Sequence, residues 1–169
     1  MLQVYYGDGK GKTTAAVGCA VRAAGAGRHV IFTQFLKNGS SNELKPLEHL
    51  GAEIFSTETH GFTFMMSEAE LADCAKKCCT AFSEAANKIK GTKNSMVIFD
   101  ELLDAVCSKL ISEEAVLAFL SEAPDDSEII ITGHSLVPSI ADCADYITEI
   151  KKVKHPYDKG VTARNGIEY

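Results

Sequence analysis

A short segment near the start of the chain has the residue types and spacing needed to bind phosphate. Residues 5–14 read YYGDGKGKTT, and Gly11, Lys12 and Thr13 reproduce the end of the pattern G-x-x-x-x-G-K-[ST]. Glycines let the backbone approach an anion and turn its N–H groups inward. A helix that begins here directs its positive end at the same anion, Lys12 adds a charge, and the Thr13 hydroxyl can bind Mg²⁺. The segment therefore predicts a phosphate-binding loop.

The beginning of this loop is unusual. Position 6, where the pattern has a glycine, is Tyr6, and the loop starts with Gly7 instead. The dinucleotide-binding pattern G-x-G-x-x-G also fails, because its third glycine would be Lys12. We therefore expect a loop that is tighter or differently aimed at its first turn than the loop of an ordinary phosphoryl-transfer enzyme.

An acidic pair is the second candidate for chemistry. The apolar run SMVIF ends in Asp100 and Glu101. In proteins with a phosphate-binding loop, one such carboxylate holds Mg²⁺, and the second can position a water or bind the metal itself. The alternative is a helix N-terminus at which the dipole favours acids. Arg22, on the helix after the loop, is either a solvated helix residue or a further residue of the binding site.

Strands and helices alternate along the whole chain, which predicts a single α/β domain over residues 1–169 with a mainly parallel sheet of about six strands flanked by helices. Strands are expected at 2–6, 29–35, 53–56, 95–99, 128–132 and 145–150. Helices are expected at 13–26, 43–50, 67–90, 112–123 and 138–143. Ser67 and Glu70 form a capping box at the start of the longest helix, and the tail from residue 153 is expected to be mostly irregular.

Composition limits the partners and the location. A net charge of −6 without a long basic run argues against nucleic acid as the main partner. The N-terminus lacks the features of a secretory signal, and no apolar stretch is long enough to span a membrane, so we expect a cytoplasmic protein. The six cysteines are interpreted as small buried side chains in a reducing compartment.

Several segments together resemble one known family over essentially the whole chain. The loop GDGKGKTT, the segments HGFTF, VIFDE and IIITGH, and the tail with KHPYDKG and GIEY are similar to the P-loop ATP:corrinoid adenosyltransferases. Loops of that family likewise lack the first glycine. The resemblance implies that MgATP and a corrinoid bind, and that Co(I) attacks the 5′ carbon of ATP. Inorganic triphosphate then leaves from the loop, in which it lies in the reverse sense to that in ordinary P-loop ATPases.

The resemblance also implies roles for individual residues. Phosphate binding is carried over to Gly7, Asp8, Gly9, Lys10, Gly11, Lys12, Thr13 and Thr14. Thr13 and Glu101 match the Mg²⁺ ligands, and Arg22 matches an arginine near the nucleotide. Phe62 matches an aromatic residue that helps to displace the lower axial ligand of the corrinoid, which makes Co(II) easier to reduce. A reduced flavoprotein as electron donor and a homodimer are further implications.

Three departures from the family pattern affect these expectations. Phe64 stands where enterobacterial members have tryptophan, so it offers less apolar area to the corrin face. His134 follows Thr132 and Gly133 where many relatives have arginine, so less positive charge is expected there at neutral pH. Some relatives have an extension before the first strand that covers the active site, whereas this chain begins at the strand, so we expect a more open site.

Two other classes of function remain open on the residues alone. A P-loop ATPase or small-molecule kinase would also use the loop and the Asp100–Glu101 pair, and it would release ADP instead of triphosphate. A nucleotide-binding regulator, such as a corrinoid sensor or carrier, would show no turnover. The motif D-x-H-x-x-G of corrinoid carriers is absent from the sequence, which counts against permanent storage of the cofactor.

Overall fold

The computed structural model describes residues 1–37, 39–59 and 65–168, and in these residues six strands form one sheet. The strands are β1 (Leu2–Tyr6), β2 (His29–Gln34), β3 (Glu53–Ser56), β4 (Ser95–Asp100), β5 (Glu128–Gly133) and β6 (Tyr146–Glu149). Their order across the sheet is β3-β2-β4-β5-β1-β6, and every neighbouring pair is parallel. The predicted α/β class is therefore confirmed, and all six predicted strands are present to within one residue at each end.

Helices connect the strands and cover both faces of the sheet. They are α1 (Lys12–Gly25), α2 (Leu44–His49), α3 (Glu68–Lys90), α4 (Leu102–Cys107), α5 (Glu113–Glu122) and α6 (Pro138–Asp142), followed by a 3₁₀ turn at Pro156–Lys159. None of the helices in the described ranges combines the length and the apolarity needed to cross a membrane.

The apolar core lies in two layers, one on each face of the sheet. The alanine-rich face of α1 packs with α2 against one side of the sheet, around Phe32 and Ile98. Helices α3 to α6 cover the other side, where Phe35, Phe82, Phe99 and Phe119 form the aromatic centre of the core. Strand β4 is buried at every position, as expected for a parallel strand covered on both faces.

Two helix starts show when local sequence signals predict the beginning of a helix and when they do not. The predicted capping box at α3 is present, since the Ser67 hydroxyl accepts a hydrogen bond from the Glu70 N–H while the Glu70 carboxylate accepts one from the Ser67 N–H. Helix α4 was not among the predicted helices, although a helix N-terminus at Asp100 and Glu101 was the alternative interpretation of the acidic pair. It follows β4 directly, and its start is Glu101, a non-glycine residue in the left-handed region with φ of 65°, so neither a capping residue nor a glycine marks it in the sequence.

The cysteines correct one expectation. All six are free, but only Cys74 and Cys78 are fully buried, whereas Cys79, Cys107 and Cys143 are exposed. Burial raises the pKa of Cys78 to about 12, with the neighbouring Cys74 thiol adding to the rise. The interpretation as small buried side chains therefore holds for the thiols of α3 that face the core and fails for the three exposed ones.

Candidate functional site

The predicted phosphate-binding loop lies between the end of β1 and the start of α1, at the edge of the sheet where the parallel strands end. The Gly7 N–H donates to the carbonyl oxygens of Gly133 and His134, at 3.2 and 3.1 Å, and the Gly9 N–H donates to Ile150 at 2.8 Å. Gly7 has φ of 121°, and a side chain there would meet the Ile150 carbonyl oxygen. Only glycine fits this turn, so the atypical start at position 7 is a requirement of the packing.

Asp8 and Lys12 complete the loop. The Asp8 carboxylate accepts a hydrogen bond from the Lys152 N–H at 2.9 Å, and this bond lowers the pKa of Asp8. Lys12 is only 7 % exposed, and its ammonium donates to the carbonyl oxygens of Gly7 (2.8 Å) and Gly9 (3.1 Å). The positive charge of Lys12 thus lies inside the loop, next to the N-terminus of α1, where an anion is favoured.

Asp100, at the end of β4, is a fully buried carboxylate with four hydrogen-bond donors around it. The hydroxyls of Thr13 and Thr132 donate to Oδ1 at 2.9 and 2.8 Å, while Lys37 and Gln34 donate to Oδ2 at 2.8 and 3.3 Å. A buried charge is stable only when it is paired and hydrogen-bonded in this way. Asp100 therefore joins the loop helix, β2, β4 and β5 at one point.

Lys37 provides the positive charge of this cluster. Its ammonium also donates to the Thr13 hydroxyl at 3.2 Å and lies 4.0 Å from the Glu43 carboxylate. Burial alone would lower the pKa of Lys37, but the charge of Asp100 and its hydrogen bond raise the pKa on balance. The lysine is therefore held in its charged form beside the loop.

Glu101 lies in a different environment from its neighbour Asp100. Its backbone N–H donates to the Thr132 hydroxyl at 2.9 Å, and its side chain lies beside Asp104 and His134. Burial, a hydrogen bond with Asp104 and nearby negative charge raise the pKa of Glu101 to about 8. Burial would also raise the pKa of Asp104, but its hydrogen bonds with His134 and Glu101 lower it overall. The surroundings thus raise the pKa of one carboxyl group of this pair and lower that of the other.

His134 faces this carboxyl pair from the end of β5. Its Nδ1 lies 3.2 Å from both carboxylate oxygens of Asp104 and 3.7 Å from Oε2 of Glu101, and its backbone N–H donates to Asp104 at 2.9 Å. Burial would lower the pKa of His134, but the hydrogen bond with Asp104, the largest influence, and the charges of Asp104 and Glu101 raise it overall. His134 thus contacts two acids of the site through one ring nitrogen.

The structure does not bring all predicted site residues to the loop. Arg22 lies ten residues after Lys12 on α1, about 15 Å along the helix axis, and lines a surface pocket of about 470 Å³ with Tyr5, Cys19 and Tyr146. Phe62 and Phe64 lie outside the described residues. Thr13 is hydrogen-bonded to Asp100, and Glu101 contacts Asp104 and His134, so the two predicted metal ligands have different partners.

The sequence reasoning missed several residues that do reach the site: Gln34, Lys37, Asp104 and the tail at residues 164–168. Residues 166–168 of the tail line, with Thr13, Thr14 and Lys37, a pocket of about 300 Å³. The Arg164 guanidinium pairs with the Glu168 carboxylate at 2.9 Å, and Asn42 donates to Asn165 at 2.6 Å. Gln34 could have been found, because it is the second-last residue of the predicted strand 29–35, at the edge of a parallel sheet where ligands bind.

Comparison with known proteins supplies a match to the whole chain. The family model for ATP:corrinoid adenosyltransferase BtuR/CobO/CobP matches residues 1–169. The Corrinoid adenosyltransferase CobA of Salmonella typhimurium is 39% identical, over 100% of this chain and 85% of that protein. A corrinoid adenosyltransferase of Escherichia coli K12 is 38% identical over the same shares, and one of Pseudomonas aeruginosa is 29% identical, over 100% of this chain and 83% of that protein.

Proposed function

The chain belongs to the ATP:corrinoid adenosyltransferase BtuR/CobO/CobP family. On this premise we propose which residues support each part of the reaction. The enzyme transfers the 5′-deoxyadenosyl group of ATP to a reduced corrinoid. In the substrate, Co(I) supplies the electron pair for a new cobalt–carbon bond to C5′. The bond between C5′ and its oxygen breaks, and the electron pair leaves with inorganic triphosphate.

The main task of the loop is to stabilise the negative charge that develops on the leaving triphosphate. The single observation that supports this role best is the buried ammonium of Lys12, held by the Gly7 and Gly9 carbonyl oxygens inside the loop. A charge that is already in place, away from water, stabilises a leaving group without reorganisation. The N–H groups of Gly7 and Gly9 donate to backbone carbonyl oxygens. We therefore assign triphosphate binding to Lys12, to the other N–H groups of the loop and to the residues predicted with them: Asp8, Lys10, Gly11, Thr13 and Thr14.

Magnesium is proposed at the end of the triphosphate nearest Thr13. The Thr13 hydroxyl and the Glu101 carboxylate are the proposed ligands, and hydroxyl, carboxylate and phosphate oxygens are the donors that Mg²⁺ prefers. Mg²⁺ would supply charge neutralisation for the leaving group. Asp100 would orient the Thr13 hydroxyl through its 2.9 Å hydrogen bond.

The corrinoid side of the reaction is assigned to two phenylalanines. Phe62 and Phe64 are proposed to lie against the corrin face and to displace the lower axial ligand. An apolar ring cannot coordinate cobalt in place of that ligand, so Co(II) becomes four-coordinate. Four-coordinate Co(II) is easier to reduce. Phe64 would contribute less area than a tryptophan. Arg22 is proposed as a nucleotide contact, and its place three turns along α1 means that the nucleoside, not the triphosphate, would have to reach it.

The remaining proposals concern partners and location. A reduced flavoprotein is the proposed electron donor, and the enzyme is proposed to act as a homodimer. A cytoplasmic location agrees with the consumption of ATP and with six unpaired cysteines.

The test mixes the protein with MgATP and chemically reduced cobalamin under anaerobic conditions. The absorption spectrum follows the corrinoid, and phosphorus NMR resolves the phosphate products. We expect a light-sensitive adenosylated corrinoid and one triphosphate for each cobalt–carbon bond. ADP and phosphate with an unchanged corrinoid would instead identify an ATPase or kinase.

Two variants test the phenylalanines separately from the loop. Phe62→Ala is expected to slow the reaction that starts from Co(II) with a reductant, while the reaction that starts from Co(I) stays close to that of the original protein. Phe64→Trp is expected to accelerate the Co(II) reaction. Equal losses from both starting states in Phe62→Ala would contradict the axial-ligand role.

A further inference from the structure

The group formed by Glu101, Asp104 and His134 has the spacing of a metal site. Each residue offers one ligand atom, and these atoms lie within 4.8 Å of one another. The Nδ1 atom of His134 is 3.2 Å from Asp104 and 3.7 Å from Glu101. Two ligands at about 2.1 Å from a common ion are about 3 Å apart when they are adjacent in an octahedron, so these donors need only small movements to share an ion.

The charge of the cluster also favours a cation. In the ranges that the structure describes, the only ion-pair partner of either Glu101 or Asp104 is His134. Lys37 makes its ion pairs with Asp100 and Glu43 instead. The close ion pair of Lys37 is therefore with Asp100, and Lys37 acts on Glu101 only from a greater distance.

The backbone around the cluster leaves space for the carboxylate of Asp104 and holds the other two ligands in place. A side chain at Gly133 would lie 2.7 Å from Oδ2 of Asp104, so the glycine lets this carboxylate approach His134. Glu101 is anchored by its N–H to Thr132 and is 15 % exposed, while His134 is 60 % exposed, so an ion can enter from solvent. The ligands thus come from two rigid strand ends and the first turn of α4.

We propose that Glu101, Asp104 and His134 form a binding site for a first-row transition-metal dication of the Mn²⁺ type, which the chain binds without nucleotide. One imidazole and two carboxylates favour such an ion over Mg²⁺, which prefers oxygen ligands in near-ideal octahedral geometry. The site lies directly beside the loop, because the Gly7 N–H donates to the His134 carbonyl oxygen. Glu101 is common to this site and to the proposed magnesium site.

The site would therefore place a second dication beside the triphosphate. That role rests on the proposed function, whereas binding of the ion does not, and the test uses the protein without ATP or corrinoid.

Mn²⁺ is the probe, because the three exposed cysteines would capture Zn²⁺ through their thiolates. Electron paramagnetic resonance counts the bound Mn²⁺, and electron spin-echo modulation detects a coordinated ¹⁴N nucleus. We expect one Mn²⁺ per chain, with nitrogen modulation, in the presence of excess Mg²⁺.

His134→Gln should abolish the nitrogen modulation and weaken Mn²⁺ binding by more than about 10-fold, since loss of even an outer partner of a ligand weakens metal affinity about 10–100-fold. Asp104→Asn should weaken binding as well, and thermal unfolding checks that both variants fold. His49→Gln, on exposed α2, is the matched control and should leave both signals unchanged. Mn²⁺ binding without nitrogen modulation, modulation that survives in His134→Gln, or the absence of binding would overturn the proposal.

Discussion

The hydroxyl of Thr13 donates to the carboxylate of Asp100 at 2.9 Å, and this bond joins the first turn of α1 to the end of β4. The two residues are 87 positions apart in the chain. Lys37 donates to both of them, so one ammonium links the loop threonine and the buried aspartate. The phosphate-binding loop is therefore held by a polar cluster that has its own stability, and this cluster can be tested by mutation.

Replacing Lys37 by methionine should destabilise the protein, because Asp100 would remain buried without its cation. Breaking a fully buried pair costs about 3–5 kcal/mol, and the partial exposure of Lys37 (27 %) reduces the expected loss in the free energy of unfolding to about 2 kcal/mol. Urea unfolding measures this loss. Lys37→Arg keeps the charge and should lose less than half as much, and equal losses in both variants would contradict the electrostatic explanation.

Replacing Lys12 by alanine should reduce the rate of adenosyl transfer, beyond any effect on the stability of the fold. Removal of one preorganised charge at a leaving group lowers kcat by about 10²–10³. Steady-state kinetics with reduced cobalamin measure this loss, and inhibition by added triphosphate should weaken in parallel. Lys45→Ala, on the exposed side of α2, is the control and should behave as the original protein. Unchanged triphosphate inhibition in Lys12→Ala would place the triphosphate elsewhere.

Gly133→Ala should destabilise the protein although alanine is a small residue. The new Cβ would lie 2.6 Å from the Cβ of Leu103 and 2.7 Å from Oδ2 of Asp104. Such overpacking costs about 1–3 kcal/mol. Gly18→Ala, on the exposed side of α1 with no atom within 4 Å of the new Cβ, should instead stabilise by about 0.5–1 kcal/mol. Thermal and urea unfolding compare the two, and the same sign of change for both would refute the packing argument.

The contact between Arg164 and Glu168 should make the position of the tail depend on acid pH. Hydrogen bonds from the Arg164 side chain and N–H lower the pKa of Glu168 to about 2, from an ordinary value of 4.5. Because the pKa is lowered in the folded state, the contact contributes fully above about pH 4.5 and is lost as the pH falls through about 2. NMR of ¹³C-labelled glutamate measures this titration.

The matched variant for the tail is Arg164→Met. It should move the titration midpoint of Glu168 up towards 4.5. A midpoint that stays near 2 in this variant would assign the low pKa to another group.

The acidic pair after β4 shows what the sequence could predict and what it could not. The apolar run, the two acids and the loop were all visible, and the strand is present to within one residue. Asp100 is the last residue of β4, whereas Glu101 has left-handed backbone geometry at the start of α4, so the two acids lie in different environments. The family resemblance paired Glu101 with Thr13 as Mg²⁺ ligands, whereas the Thr13 hydroxyl donates its hydrogen bond to Asp100. Which of two adjacent acids faces the loop depends on the packing of β2 and β5, which sequence patterns do not reveal.

Most of the site residues that the sequence did not predict are held by long-range contacts. Local patterns located the helices that have caps or glycine stops, because those signals lie within four residues of the helix ends. The contact of Lys152 with Asp8 spans 144 positions, and residues 166–168 of the tail line a pocket with Thr13 and Thr14 of α1. A segment without regular periodicity carries no sign of the surface on which it lies. The tail was therefore predicted to be irregular, and the surface on which it lies was not predicted.

The anchors of the phosphate-binding loop determine when the enzyme can first bind its nucleotide during synthesis. The loop occupies residues 7–11, but its hydrogen-bond partners Gly133, His134, Ile150 and Lys152 belong to the last quarter of the chain. During synthesis the loop leaves the ribosome before these partners, so it lacks their hydrogen bonds until they have also left the exit tunnel. A chain that stops before residue 133 therefore contains the complete GDGKGKTT sequence without the contacts that hold the loop in place.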